Sequence, residues 1–259
     1  MSLADNDPRF WPGPLTVILP VIPGTLSPLT TAGLSTVGVR MVRHAVADRI
    51  LSLSGVPVAA PSANPSGRPS PTCAQHVLSD YKGAVPVVDG GPCDVGLEST
   101  IVDCTIADDH VVLLRPGGIA VEDIEVFCPV VQPGDGPHGD GAPRAPGMKY
   151  AHYAPAAPAE LVVGSDAFLQ AQVDAKRAQG IRVGVLTSAD STVKADVLIT
   201  GAADKNDLPS LARTLYGALR EFDERGAQHI FITTVSKDGI GLAIMNRLIK
   251  ASGHNVITE

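Results

Sequence analysis

Three consecutive runs settle the architecture of the second half of this chain: Asp196-Val197-Leu198-Ile199-Thr200, then Leu208-Pro209-Ser210-Leu211-Ala212-Arg213-Thr214-Leu215-Tyr216-Gly217-Ala218-Leu219-Arg220-Glu221-Phe222, then His229-Ile230-Phe231-Ile232-Thr233-Thr234-Val235. The outer two are short, rich in β-branched residues and bounded by Gly201 and Gly226, as buried strands are. In the middle run Leu208, Leu211, Leu215, Leu219 and Phe222 recur at helical spacing and make one apolar stripe. Strand, helix and strand in this order form the unit of a parallel sheet covered by helices. The same rhythm continues on either side, with a helix over 166–179, a strand over 181–186, the strand and helix just described (196–200 and 207–225), the strand over 229–235 and a helix over 240–251. Residues 158–259 therefore read as a small, Rossmann-like parallel α/β domain.

The first half reads as strands and helices of another kind. Strands are expected over 15–22, 36–41, 56–60 and 85–88, and a strand pair over 99–103 and 111–114. An amphipathic helix carries Val46, Ile50, Leu51 and Leu53 and stops at Gly55; a shorter one with Val77 and Leu78 starts after Pro71-Thr72. From Pro129 to Gly147 the chain turns to proline, glycine and aspartate, a composition that buries no core and reads as a linker. The expected division is a catalytic domain over 1–128, a linker over 129–157 and a C-terminal domain over 158–259. With 259 residues and a net charge of −7, non-specific binding of polyanions by the whole surface is disfavoured. Cys73, Cys93, Cys104 and Cys128 show no metal or disulfide spacing and suit buried thiols in a reducing compartment. No apolar run approaches the length of a membrane span, and the acidic start is wrong for a signal peptide, so a cytoplasmic location is expected.

The chemistry concentrates in a few places. Pro57-Val58-Ala59-Ala60-Pro61-Ser62-Ala63-Asn64-Pro65-Ser66-Gly67-Arg68-Pro69-Ser70-Pro71-Thr72 is an apolar run ending in a proline-stiffened loop. Ser62, Asn64, Ser66 and Thr72 present short polar groups there, as a small-molecule site requires. Arg40 lies on or just beyond a strand, where a guanidinium grips a carboxylate; an internal Arg–Asp pair accounts for it equally. Arg115 ends another strand before Pro116-Gly117-Gly118, as a ligand contact or as a surface cap. Ser99 and Thr100 either bind a ligand or satisfy strand-end amides. Ala145-Pro146-Gly147-Met148-Lys149-Tyr150-Ala151-His152-Tyr153-Ala154-Pro155 combines a cation, rings and an imidazole, a kit for phosphates and a base. A hydrophobic anchor would explain the tyrosines but not Lys149 and His152. There is neither G-x-G-x-x-G nor a Walker loop, and no nucleophile–base pair or metal cluster, so no catalytic or metal-binding residue is assigned. An enzyme built this way works by holding substrates and stabilising charge.

Together, Phe10-Trp11-Pro12-Gly13-Pro14-Leu15-Thr16, Val37-Gly38-Val39-Arg40-Met41, Ala60 to Gly67, Glu98 to Asp103, Leu114-Arg115-Pro116-Gly117, the Pro146 to Pro155 linker motif and Gly241 to Leu248 resemble the threonylcarbamoyl-AMP synthases, in the two-domain form. The resemblance implies a YrdC-like twisted mixed sheet with helices, followed by the Rossmann-like domain. It implies a nucleotidyltransferase that condenses L-threonine, bicarbonate and ATP into threonylcarbamoyl-AMP and pyrophosphate, with Mg2+ on the phosphates. The product serves partner proteins that make threonylcarbamoyladenosine in tRNA. Carried over residue by residue, Arg40, Ser62 and Ser99 handle threonine. Thr36, Asn64, Thr72, Arg115, Lys149, Tyr150, His152 and Tyr153 hold ATP.

One part of the family pattern has no counterpart. A segment ahead of Phe10, with a Pro-Thr-Glu-Thr-like strand exit, a Tyr-Gly-Leu turn and a Lys-Gly-Arg-Pro element, is expected in the family and is not found here. The expectation is therefore a truncated catalytic domain, its sheet incomplete, open-edged and impaired in activity. The alternative is a nucleotide- or RNA-binding module with a weak RNA contact.

Overall fold

The computed structural model describes residues 10–132 and 153–259. By contacts, the described residues of Met1–Pro61 and Glu98–Lys149 make one compact unit, and those of Ser62–Leu97 and Tyr150–Glu259 a second. The piece Ser62–Leu97 thus belongs with the sequence-distant second unit.

The first unit contains β1 (Leu15–Pro20), α1 (Pro28–Thr31), β2 (Thr36–Val39) and α2 (Ala45–Ser54). The second unit's α3 (Ala74–Tyr81) intervenes in sequence before β3 (Thr100–Asp103), β4 (Val111–Arg115), α4 (Val121–Glu125) and β5 (Val130–Val131) return to the first. Its sheet has the order β2-β1-β3-β4-β5. β1 pairs antiparallel with β2 and parallel with β3, β3 antiparallel with β4, and β4 parallel with β5, which makes the sheet mixed. β3 is buried along its whole length, and Leu15, Val17, Val102, Leu113 and Ile124 form the interior.

Three expectations fail in this half. Residues 56–60 form no strand: Val56 is 62% and Val58 53% exposed. Residues 85–88 form none either, with Val88 70% exposed. A strand needs a hydrogen-bonded neighbour, and the ladder formed by the described residues gives these two runs no place. Helix α2 is where its periodicity puts it, with Gly55 as a left-handed cap, yet it buries no residue. The thiols also differ from expectation: all four cysteines are free, but Cys93 is exposed and the others only half-buried.

The second unit continues with β6 (Ala159–Val163), α5 (Asp166–Arg177), β7 (Val183–Ser188), β8 (Val197–Ala202), α6 (Leu208–Glu224), β9 (His229–Thr233), α7 (Gly241–Ala251) and β10 (Val256–Thr258). Its sheet is wholly parallel, in the order β10-β6-β9-β7-β8. Alternate strand residues face opposite layers. Val162, Val183, Val185 and Phe231 pack with Leu169 and Val173 of α5. Leu161, Leu186, Ile230 and Ile232 pack with α6 and α7. The helices start on side-chain caps: Ser165 Oγ accepts from Phe168 N at 3.2 Å, and Asp207 from Ser210 N at 3.2 Å. Glycines in the strands make room for α6, since a Cβ on Gly184 would lie 2.6 Å from the Phe222 ring and one on Gly201 2.5 Å from Leu211. Among the described residues no helix is long and apolar enough to cross a membrane.

Candidate active site

The polar groups singled out in the sequence fall into two sets, one in each unit. In the first unit, Ser99 lies immediately before β3 and is buried. Its hydroxyl is 2.7 Å from Thr16 Oγ1 on β1, because β1 and β3 run side by side and start together. Buried Arg115, at the end of β4, donates from Nη2 and Nε to the Ser99 carbonyl at 2.9 and 3.3 Å, and from Nη2 to the Ser99 hydroxyl at 3.3 Å. The turn after Arg115 closes on this same point. A Cβ on Gly117 would meet Glu98 O at 2.4 Å, and Gly118 N donates to Glu98 O at 3.0 Å. The Pro-Gly-Gly turn therefore brings backbone against backbone, and Arg115 is no surface cap. Thr16 is the member that sequence reading missed; its place in a strand gave no signal.

Arg40 lies just beyond its strand. β2 ends at Val39, and Arg40 is exposed, with Nε donating to Gly13 O at 3.0 Å. Gly13 N also donates to Met41 O at 2.9 Å, so the Trp-Pro-Gly turn and the exit of β2 hold each other. Thr36 opens β2 opposite Pro20 and is half-buried.

In the second unit Ser62 is exposed and Asn64 half-buried. Asn64 Nδ2 donates to Pro65 O at 3.0 Å and to Arg68 O at 3.1 Å, while its buried Oδ1 has no hydrogen-bond partner among the described residues. Two carbonyl acceptors fix the amide's orientation, so Oδ1 is an acceptor in want of a donor such as an ammonium or hydroxyl. Thr72 N donates to His76 Nδ1 at 3.1 Å, and the Thr72 carbonyl accepts from Cys93 N at 2.9 Å. His76, in the first turn of α3, fixes the loop end. Burial and then the Arg220 guanidinium hold its pKa below the usual histidine value. Asp80, bonded by Arg220, is likewise held below the ordinary carboxylate range.

Lys149, Tyr150 and His152 lie outside the described residues, as does most of the expected linker. Tyr153 is described, and it takes the anchoring place. Its ring is buried in the second unit's core, 5.2 Å from the Tyr216 ring and 5.9 Å below the Arg247 guanidinium. Arg247, wholly buried on α7, gave no sign of this contact in the sequence. Among the described residues no three metal-ligating side chains cluster.

In the first unit two hydroxyls and the Arg115 guanidinium converge at the start of β3, and in the second a proline-stiffened loop leaves one amide oxygen open. The family profile described as "Threonylcarbamoyl-AMP synthase, C-terminal domain" matches residues 119–253, and the one described as "Telomere recombination" matches residues 6–117. Threonylcarbamoyl-AMP synthase of Bacillus subtilis is 46% identical over 252 residues, which are 96% of this chain and 72% of that protein. The Pyrococcus abyssi protein of the same name is 41% identical over 96% of this chain and 73% of its own length. The crystal structure of P. abyssi Sua5 complexed with L-threonine superposes with a TM-score of 0.89 at 40% identity, covering 97% of this chain and 74% of that one. The chain belongs to the threonylcarbamoyl-AMP synthase family.

Proposed function

We propose that this chain is an L-threonylcarbamoyladenylate synthase, condensing L-threonine, bicarbonate and ATP into threonylcarbamoyl-AMP and pyrophosphate. The observation that carries this is the 46% identity to a threonylcarbamoyl-AMP synthase across 96% of the chain. The proposed division is a catalytic domain over 1–128, a linker over 129–157 and a C-terminal domain over 158–259. In the reaction, the carboxylated threonine nitrogen presents an oxygen that displaces pyrophosphate from ATP. ATP and bicarbonate are anionic and threonine brings a carboxylate, so fixed cations and hydrogen-bond donors are what the protein must supply. Arg40, Ser62 and Ser99 handle threonine, Arg40 pairing with its carboxylate. Thr36, Asn64, Thr72, Arg115, Lys149, Tyr150, His152 and Tyr153 hold ATP, and Tyr153 also packs in the second unit's core. Mg2+ is expected on the phosphates of ATP. The adenylate passes to transferase proteins that modify tRNA in the cytoplasm.

The test is pyrophosphate release by the purified chain with ATP, bicarbonate and threonine supplied together or singly. Release that requires all three is expected. Salt-sensitive RNA binding without release would instead make this chain a binding module.

A further inference from the structure

We infer that Arg220 of α6 is a positioning residue for the loop that carries Ser62, Asn64 and Thr72, so that the parallel-sheet unit has a part in substrate binding. The kinetic half of this inference rests on the function proposed above; the structural half does not.

Arg220 lies on α6 outside its apolar stripe of Leu208, Leu211, Leu215, Leu219 and Phe222, yet it is buried. Nη1 donates to Asp80 Oδ1 at 3.0 Å and Nη2 to Asp80 Oδ2 at 2.7 Å. Nη2 also donates to the carbonyl of Pro69, inside the loop. Arg220 is 6% exposed and the Asp80 side chain 1%, so this pair is shielded from solvent. A planar guanidinium can hold a carboxylate with two parallel bonds while a third N–H direction serves the carbonyl; an ammonium cannot reproduce that fork. Arg68 adds a second, looser cation, 3.5 Å from Asp80 Oδ1.

The carbonyl held by Arg220 is next to the one held by Asn64. Asn64 donates to Arg68 O at 3.1 Å, and Arg220 to Pro69 O. Movement of the Pro69 peptide therefore moves the partner that orients the Asn64 amide. On the other side of Pro69, Thr72 is tied to His76 on the helix that bears Asp80. Helix α6 meets the far end of the segment as well. A Cβ on Gly96 would lie 2.4 Å from Ala212 O and from Arg213 Cα, and Leu97 packs against the core cluster of α6. One helix thus holds the segment Ser62–Leu97 near both ends. A binding loop off its productive geometry by about 0.5 Å loses much of its use, and a partly ordered loop weakens apparent affinity by the fraction that is ordered.

The experiment uses the full chain as wild type, Arg220→Gln and Arg220→Lys, read by hydrogen exchange and by steady-state kinetics. Arg220→Gln is expected to speed amide exchange about tenfold in peptides from 62–80, leaving β7 and β9 unchanged, and to raise KM for ATP about tenfold with kcat within about twofold. Arg220→Lys, which keeps the charge and folds more safely, should fall between. Unchanged exchange over 62–80 in both variants would overturn the inference; so would an equal rise across β7 and β9, which is plain loss of stability. A wild-type chain that releases no pyrophosphate would sink the functional reading alone, since the exchange result stands without turnover.

Discussion

Asn64 shows how a small side chain can be committed on one side and open on the other. Both of its amide bonds go to carbonyls of its own loop, so its oxygen faces away as an acceptor. Asn64→Ala removes donors from two loop carbonyls and should cost about 1–3 kcal/mol of loop stability, read as a rise in KM for ATP or threonine larger than any fall in kcat. His76 gives a pH dependence. Its neutral Nδ1 accepts the Thr72 N–H, and it is faced by the cationic Arg220 and by the carboxylates of Glu224 and Asp80. Because its folded pKa is lowered, the unfolded chain takes up the proton first, near the ordinary value of about 6.5. The stability it contributes is full above that value and is lost as pH falls through the lowered one. Urea midpoints at pH 7.5 and 5.5 should therefore differ more in the wild type than in His76→Gln. The thiols are ordered by their settings. Burial, with Cys128 and Asp103 nearby, pushes Cys104 up to about 11, whereas Cys93 is exposed. Iodoacetamide at neutral pH should mark Cys93 well before Cys104 by peptide mass spectrometry.

At the scale of elements, helices α2 and α6 have similar amphipathic sequences and opposite surroundings. Leu219 of α6 is fully buried between sheet and helix, while Ile50 and Leu53 of α2 are 48% and 68% exposed. Leu219→Ala should cost about 2–5 kcal/mol, and Ile50→Ala no more than about 0.5 kcal/mol, measured as shifts of the denaturation midpoint. Periodicity alone could not separate the two, since it reports that a helix has an apolar face and not what meets it. The same limit explains the strands. Runs 56–60 and 85–88 have strand composition but, among the described residues, no neighbour to complete a ladder. β6 and β10 are strands because β9 and β6 supply one, although β10 spans only Val256–Thr258. Where strand and helix alternate, from β7 to α7, pattern and contacts agree and the reading succeeded. In the site, the polar loop and the Ser99 and Arg115 strand ends were legible as residue types in sequence. Thr16, His76, Arg220 and Arg247 were not, because each acts through a contact with distant sequence.

For the molecule as a whole, the two units differ in how well their elements are covered. The parallel sheet is packed on both faces, whereas in the first unit α2 buries nothing and β2 is half-buried at best. The single tryptophan, Trp11, belongs to the first unit and donates from Nε1 to Leu15 O at 2.9 Å. Its fluorescence should change at lower urea than the far-ultraviolet circular dichroism signal, which both units share; coincident curves would mean one cooperative transition. The bond between Arg220 and Pro69 spans 151 positions. Chains emerge from the ribosome from the N-terminus, at roughly 5–20 residues per second. The loop bearing Asn64 and Thr72 therefore has to wait roughly 8–30 seconds for its clamp, and a nascent chain arrested before α6 has cleared the exit tunnel should leave that loop open to protease.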